Sequence, residues 1–334
     1  MIGINNEKCG FASLAALATV GLLSGCVGAP ESNKSTEAAG DYQPVTVTNC
    51  GVETTFTAVP QHAVTTNQGA TEMMLGLGLE DKMVGTAYLD DHVTPSLQKA
   101  FDKVPVLSDQ SYPSKEKFFE VDPDFAYSAY SSAFTEKNLG SREQLKASGV
   151  NTRIIPYGCP EKKDQPSGAS MDPVWEEAMT VAKIFGITER GQKVVQEQKD
   201  RFAALEKKAP AKGKKFVWYD SGDKDPYIGA GEGGPQLIIN ALGGKNIFES
   251  EKGNWAHLSW ESVLEADPDF IVVADPTWDT AAKKIDYMKN DPVLSQLRAV
   301  KNDAFLKVKF SESTPGLSLI NGAENLADQL AKLN

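Results

Sequence analysis

Apolar residues in this chain fall into two kinds of segment. Short apolar runs at 63–66, 83–87, 104–107, 125–129 and 152–156 read as strands. Between them, at 71–79, 95–101 and 141–148, apolar positions recur with helical spacing. Strands alternating with helices predict a parallel, doubly wound sheet. Ahead of this series, 45–48 and 54–59 alternate around the turn-like Asn49-Cys50-Gly51 and predict a hairpin. From 172 to 208 the periodicity is helical throughout, interrupted at Gly186, where Thr188-Glu189 starts a second helix. A second series follows, with strands at 215–220, 270–274 and 304–308 and helices at 235–242, 280–289 and 317–333. The pattern gives an α/β fold of two Rossmann-like lobes, 44–171 and 209–334, joined by a single long helical connector at 172–208.

The two lobes share a motif. Residues 116–125 read EKFFEVDPDF and 261–270 read ESVLEADPDF, agreeing at six of ten positions. Each copy predicts a short helix, an Asp-Pro-Asp stop and an apolar strand, because Pro cannot continue a helix and Asp suits a turn. A domain-sized separation excludes a solenoid repeat. Convergence on good turn chemistry accounts for the Asp-Pro-Asp, but not for a Glu opening both helices.

The N-terminus changes the picture from a fold to a location. Lys8 precedes an apolar run at 11–23, too short to span a bilayer and suited to a secretory signal. The run ends in Leu23-Ser24-Gly25-Cys26, which looks like a lipobox. The expectation is a signal peptide at 1–25 and a lipid anchor, diacylglycerol and palmitate, on Cys26. Residues 26–43, rich in Ser, Glu, Ala and Gly, then form a flexible tether. The protein is expected to be extracytoplasmic and to meet the membrane through this anchor only. Cys50 and Cys159 remain in an oxidising compartment and are expected to form a disulfide, two separate thiols being the alternative. A net charge of −11 argues against nucleic acid and against electrostatic attachment to anionic lipid, since each requires a basic face.

Several segments in order carry a resemblance. They are Thr66-Asn67-Gln68-Gly69-Ala70-Thr71-Glu72, Leu77-Gly78-Leu79 leading to Met83-Val84-Gly85, the two Asp-Pro-Asp turns, and Leu242-Gly243-Gly244-Lys245-Asn246-Ile247-Phe248. With them the chain resembles, over roughly 45–333, the solute-binding lipoproteins that serve iron-siderophore and cobalamin ABC importers. The resemblance implies a monomer that captures a small-molecule metal chelate and delivers it to a permease dimer with its ATPase. It also implies that Glu116 and Glu261 form salt bridges with permease arginines. A two-fold permease needs equivalent anionic points on both lobes, although local stabilisation of a helix N-terminus would also favour Glu there.

Loops following the strands are the natural ligand positions. In the first lobe they offer Asn67, Gln68, Tyr88, Asp90, Asp91, Tyr112, Tyr130 and Tyr157; in the second, Tyr219, Asp220, Tyr227, Trp255, Trp278, Glu312 and Thr314. Aromatic faces bury a bulky chelate, and Asn, Gln and Thr can orient its amides. The five arginines, Arg142, Arg153, Arg190, Arg201 and Arg298, all lie outside these loops. Ferric catecholates are strongly anionic and usually require Arg or Lys clamps, so a neutral or cationic chelate such as a ferric hydroxamate is favoured. Cobalamin, haem or another bulky metabolite is the alternative.

Other chemistries find less support. His62, His92 and His257 are scattered and not in metal-ligand spacing, so no resident metal or cofactor is expected. Gly229-Ala230-Gly231-Glu232-Gly233-Gly234 is formally a dinucleotide fingerprint, but it does not directly follow a predicted strand. It is read instead as a place where backbone approaches the ligand or hinges the loop. No Gly-x-Ser-x-Gly elbow occurs, so an enzyme is not expected. An anchored sensor on the same fold is the remaining alternative. A helical connector predicts a small hinge motion.

Overall fold

The computed structural model describes residues 42–89 and 91–333. Residues 1–41, which hold the expected signal peptide, Cys26 and most of the expected tether, lie outside the described residues, as does Asp90. Strands β1 (Val45–Asn49) and β2 (Val52–Phe56) pair antiparallel. Their turn places Cys50 at φ 50° and Gly51 at φ 75°. Two successive left-handed residues give the twist that suits a tight hairpin. The hairpin is then fastened to the first lobe. The Asn49 amide nitrogen donates to the Ile154 carbonyl and its amide oxygen accepts from the Ile154 N–H, both at 2.8 Å. Cys50 is bonded to Cys159, with Cα atoms 5.3 Å apart across 109 positions of sequence.

The first lobe holds β3 (Ala63–Thr66), β4 (Met83–Ala87), β5 (Val106–Ser108), β6 (Phe125–Ser128) and β7 (Asn151–Ile154). They run in the order β5-β4-β3-β6-β7, every neighbour parallel. Strand order reverses between β3 and β6, and ligand crevices form beyond the strand ends at such a reversal.

The second sheet holds β8 (Lys215–Ser221), β9 (Tyr227–Gly229), β10 (Lys245–Asn246), β11 (Trp255–His257), β12 (Phe270–Asp275) and β13 (Phe305–Lys309). Its order is β11-β9-β8-β12-β13, with β10 paired to the start of β8. Here the alternating pattern is incomplete as a guide: β9 runs antiparallel to β8, and β11 antiparallel to β9. The link at 222–226 is too short for the crossover a parallel neighbour requires, so the chain doubles back at Gly222, φ 81°.

Between the sheets run the helices Asp172–Ile184 and Thr188–Lys208, broken at Gly186, φ 67°. The first is tied to the first lobe through buried Glu177. That carboxylate accepts from Arg153 Nε at 2.7 Å, from Arg153 Nη2, and from the Tyr127 hydroxyl at 2.7 Å. The second helix reaches both lobes. Arg190 donates to the Gly78 carbonyl at 2.7 Å, and Arg201 holds Glu324 of the helix Leu319–Leu333 at 2.6 Å.

The repeated motif has one structure in both places. The helices Lys115–Glu120 and Trp260–Ala266 begin behind Ser114 and Ser259, whose hydroxyls accept from Lys117 N and Ser262 N, each at 3.3 Å. Phe118 and Val263, fully buried, pin each helix to its sheet. The first Asp of each stop is left-handed, Asp122 at φ 47° and Asp267 at φ 43°. The second stitches neighbouring strands together. Asp124 accepts from Gln61 N at 2.8 Å and His62 N at 2.9 Å just before β3, and Asp269 accepts from Lys215 N of β8 at 2.8 Å.

Candidate functional site

Three loops of the first lobe, following β3, β6 and β7, meet two segments of the second around a small chamber of about 100 Å³. Gln68, Tyr130 and Tyr157 supply one wall; Trp255, Thr314 and Phe310 supply the other. A larger chamber of about 480 Å³ adjoins it, sharing Tyr157, Asn254 and Trp255 and adding Tyr227, Gln165, Glu232, Lys162 and Lys252. The first two loops flank the reversal of strand order, so the cleft sits where the topology leaves a crevice.

The structure therefore brings Gln68, Tyr130, Tyr157, Trp255 and Thr314 to the inner chamber and Tyr227 to the outer one. Tyr227 stacks on Trp255, ring centroids 6.3 Å apart, which continues the aromatic wall outward. The other candidates stand elsewhere. Asn67 is buried behind the cleft, where its side-chain oxygen accepts from the Tyr112 and Ser128 hydroxyls at 3.3 Å. Tyr88 packs edge-on against Tyr112, and neither ring lines either chamber. Tyr219 lies in the core of the second lobe, its hydroxyl donating to the Gly222 carbonyl at 3.2 Å. In a sheet covered on both faces, a side chain near a strand end can still be interior. Asp220 accepts from the Ser221 hydroxyl at 3.0 Å, and burial pushes its carboxyl above the ordinary range. Trp278, 60% exposed, packs edge-on against Phe310 one layer outside the chamber. Glu312 is buried at the seam between the lobes, and Asp90 lies outside the described residues.

Asn254, Phe310 and Pro315 line the inner chamber but escaped the sequence reading. Asn254 follows Lys252-Gly253, and that turn dipeptide before an aromatic was the available signal. In the glycine-rich segment leading into the helix Gly233–Ala241, Gly231 and Gly234 serve packing within the lobe, while Glu232 between them lines the outer chamber. A Cβ on Gly231 would lie 2.1 Å from the Glu249 carbonyl oxygen, and one on Gly234 would lie 1.8 Å from that of Ser313.

Charge separates the two chambers. No ionisable side chain other than tyrosine lines the inner one among the described residues, while the outer one has Lys162, Lys252 and Glu232. All five arginines are engaged within the protein: Arg142 with Asn49 and Thr152, Arg153 with Glu177, Arg190 with Leu77 and Gly78, Arg201 with Glu324, Arg298 with Asp267 and Asp269. Burial pushes the Tyr157 phenol up to about 12, so it faces the cleft as a neutral hydroxyl, donating to the Ser170 carbonyl at 3.4 Å. Among the described residues, no three His, Cys, Asp or Glu side chains converge in a way that could hold a metal ion.

Away from the cleft, Glu116 and Glu261 occupy the same place in the two copies of the motif. Each is exposed at the second residue of its helix, behind the capping serine. Backbone N–H groups there, with the Ser114 hydroxyl, hold the Glu116 carboxyl below its usual range, so it is an anion at neutral pH.

Residues 64–311 match the family model described as periplasmic binding protein. An uncharacterized ABC transporter substrate-binding lipoprotein of Bacillus subtilis is 25% identical over 317 residues, 92% of this chain and 93% of that protein. A vitamin B12-binding protein of Salmonella typhimurium is 29% identical over 112 residues, 30% of this chain and 42% of that protein. Among solved structures, a periplasmic binding protein from Veillonella parvula superposes with a TM-score of 0.73 at 32% identity, covering 86% of this chain and 97% of that one. A structure from the Fe3+-hydroxamate transport system of Saccharomonospora viridis superposes with a TM-score of 0.68 at 23% identity, covering 85% and 98%, and shows the shared fold alone.

Proposed function

Because the chain belongs to the periplasmic binding protein family, we propose that it captures a bulky, neutral or cationic metal chelate in its cleft, a ferric hydroxamate above others, and delivers it to an ABC permease. A family of solute binders sets the role as binding rather than catalysis. The observation that carries the ligand class is the inner chamber: aromatic and amide walls, no basic side chain, and every arginine in the chain committed to the protein itself. A triscatecholate entering it would meet walls that offer its negative charges no cation, leaving only Lys162 and Lys252 of the outer chamber to pair them. A cationic chelate gains from the ring faces of Tyr157 and Trp255. The neutral Tyr157 phenol and the scattered histidines favour uptake of an intact chelate over direct ligation of iron.

Tryptophan-fluorescence titration of the mature domain tests this reading. A cationic or neutral ferric trihydroxamate should quench Trp255, whereas a ferric triscatecholate should not. Tight binding of the catecholate with none of any hydroxamate would overturn it. The partial likeness to a vitamin B12-binding protein supports cobalamin as the second reading, and the titration includes cobalamin and haem for that reason.

Delivery follows from the paired glutamates. A permease with two-fold symmetry offers two equivalent arginine sites, and Glu116 and Glu261 are equivalent anions on equivalent helices. Glu116→Lys and Glu261→Lys should each abolish uptake while leaving ligand affinity unchanged; uptake that survives both reversals rules this docking out. In the same reading the protein is held at the outer face of the cell membrane by lipid on Cys26, works as a monomer, and is released from cells as Cys26→Ser.

A further inference from the structure

Behind the cleft, a buried carboxylate joins the two lobes. Glu72, on the helix Gln68–Gly76, is 3% exposed and surrounded by donors. Its Oε1 accepts from Gln68 Nε2 at 2.6 Å and from Thr94 N at 2.9 Å. Its Oε2 accepts from the Thr94 hydroxyl at 3.1 Å and from the Ser318 hydroxyl. Gln68 and Thr94 belong to the first lobe, but Ser318 precedes the last helix of the second. One turn along, Gly76 meets Leu317 so closely that an added Cβ would lie 2.9 Å from its Cδ1. The contact between lobes at this point is therefore tight, and Glu72 is its polar member.

Glu72 also reaches the cleft. Gln68 lines the inner chamber, and its side chain spans to the loop before Thr94, accepting from Asp91 N at 3.3 Å and donating to the His92 carbonyl at 3.4 Å. A chain of hydrogen bonds thus runs from Ser318 through Glu72 to Gln68 and to the segment 91–94. We propose that Glu72 is a positioning residue which makes lobe separation and the setting of Gln68 and the 91–94 loop change together. When Ser318 withdraws, Oε2 loses one of its two partners in a dry seam, and an unsatisfied buried carboxylate must rotate or admit water. Either movement disturbs Gln68 and Thr94. Opening of the lobes would then loosen the ligand's own contacts, which suits a protein that must let go at the permease.

The seam is also acidic. Facing Glu72 are Glu312 from the second lobe and Asp91 from the first, with Lys309 and His92 as the neighbouring basic groups. Burial pushes Glu72, Asp91 and Glu312 above the ordinary carboxylate range, and Glu72 and Asp91 push Glu312 further. A carboxyl whose pKa is raised on folding favours the folded, closed form at acidic pH. It loses that contribution as pH rises from the ordinary range through the raised value.

This inference rests on the cleft being the ligand site, but its test uses the ligand-free protein, so its failure would leave the cleft reading standing. Hydrogen exchange of the backbone amides is followed in wild type, Ser318→Ala and Glu72→Gln between pH 4.5 and 7.5, corrected for intrinsic exchange rates. Ser318→Ala, a change in the second lobe, should speed exchange at Asp91 and Thr94 about tenfold, the loss of one hydrogen bond to a charged group. The amides of β3 should not follow. Unchanged exchange at 91–94 in Ser318→Ala overturns the coupling, and decides the matter even if Glu72→Gln fails to fold. In the wild type, protection of 91–94 should fall as pH rises, and Glu72→Gln should make that fall smaller, leaving the part due to Asp91 and Glu312. A fall of unchanged size in Glu72→Gln would remove Glu72 from the relay.

Discussion

The two lobes carry the same motif at their matched helices and different loops at the cleft. In each, a serine caps a short helix, a glutamate follows two residues later, and the last Asp of Asp-Pro-Asp ties one strand to its neighbour. Around the cleft the likeness ends. The first lobe contributes three loops from an all-parallel sheet, whereas the second contributes Trp255 and Tyr227 from an antiparallel pair within its main sheet. A surface that must meet a two-fold partner is under pressure to stay symmetric, while a pocket for an irregular molecule is not. The lobes also differ in how they are fastened. The first is tied to the connector by the buried pair Arg153 with Glu177 and carries a disulfide besides; the second is tied to it by the partly exposed pair Arg201 with Glu324.

That difference in fastening gives the largest expected effect. Glu177→Ala leaves the Arg153 guanidinium buried without its partner and should cost about 3–5 kcal/mol, read from chemical denaturation. Glu324→Ala breaks a pair open to solvent and should cost under about 1 kcal/mol. Equal costs would mean that the connector is held alike at both ends. Cys50→Ser with Cys159→Ser comes next. Releasing a cross-link across 109 positions should lower stability by about 2–4 kcal/mol, and limited proteolysis should find the freed hairpin first.

The second Asp-Pro-Asp stop carries an acid-sensitive carboxylate. Burial raises the Asp269 carboxyl, but the Lys215 N–H and Arg298 outweigh it and hold the group below its usual range. A lowered carboxylate stabilises the fold above its unfolded pKa and loses that contribution as pH falls through the lowered value. Asp269→Asn should therefore flatten the acid limb of a melting-temperature profile. Asp124, its counterpart in the first stop, accepts from the backbone of Gln61 and His62 instead. The opposite trend, stability falling as pH rises, belongs to the seam carboxyls Glu72, Asp91 and Glu312.

Much of this architecture could be read from the residues because it rests on period and punctuation. The runs at 63–66 and 83–87 coincide with β3 and β4, and Gly186 breaks the connector as its position suggests. The strands β9 and β11 were not legible, since three residues are too few to show alternation. The cleft was legible as a set of loops and much less as a set of side chains. Tyr130, Tyr157 and Trp255 do line it, but Tyr219 points into a core and Asn67 is taken up in bonding Tyr112 and Ser128. Which face of a strand end a side chain takes depends on what covers the sheet. Asn254 follows the turn Lys252-Gly253 and Phe310 directly follows β13, so their positions were legible, but that their side chains line the chamber was not.

The smallest effect is the finest test of the likeness between lobes. Ser114 and Ser259 each satisfy one N–H at the start of a short helix that is otherwise held by its buried side chains, Phe118 in the first and Trp260 with Val263 in the second. Replacing either serine by alanine removes that acceptor and should cost about 0.5–1 kcal/mol. The helices lie against different sheets and share no partner among the described residues, so the double variant should lose the sum of the two within about 0.5 kcal/mol. Equal and additive costs would show that the motif was kept as one device in both lobes. A cost confined to Ser259→Ala would mean that the hairpin and disulfide of the first lobe already hold its helix in place, and that only the second copy depends on its cap.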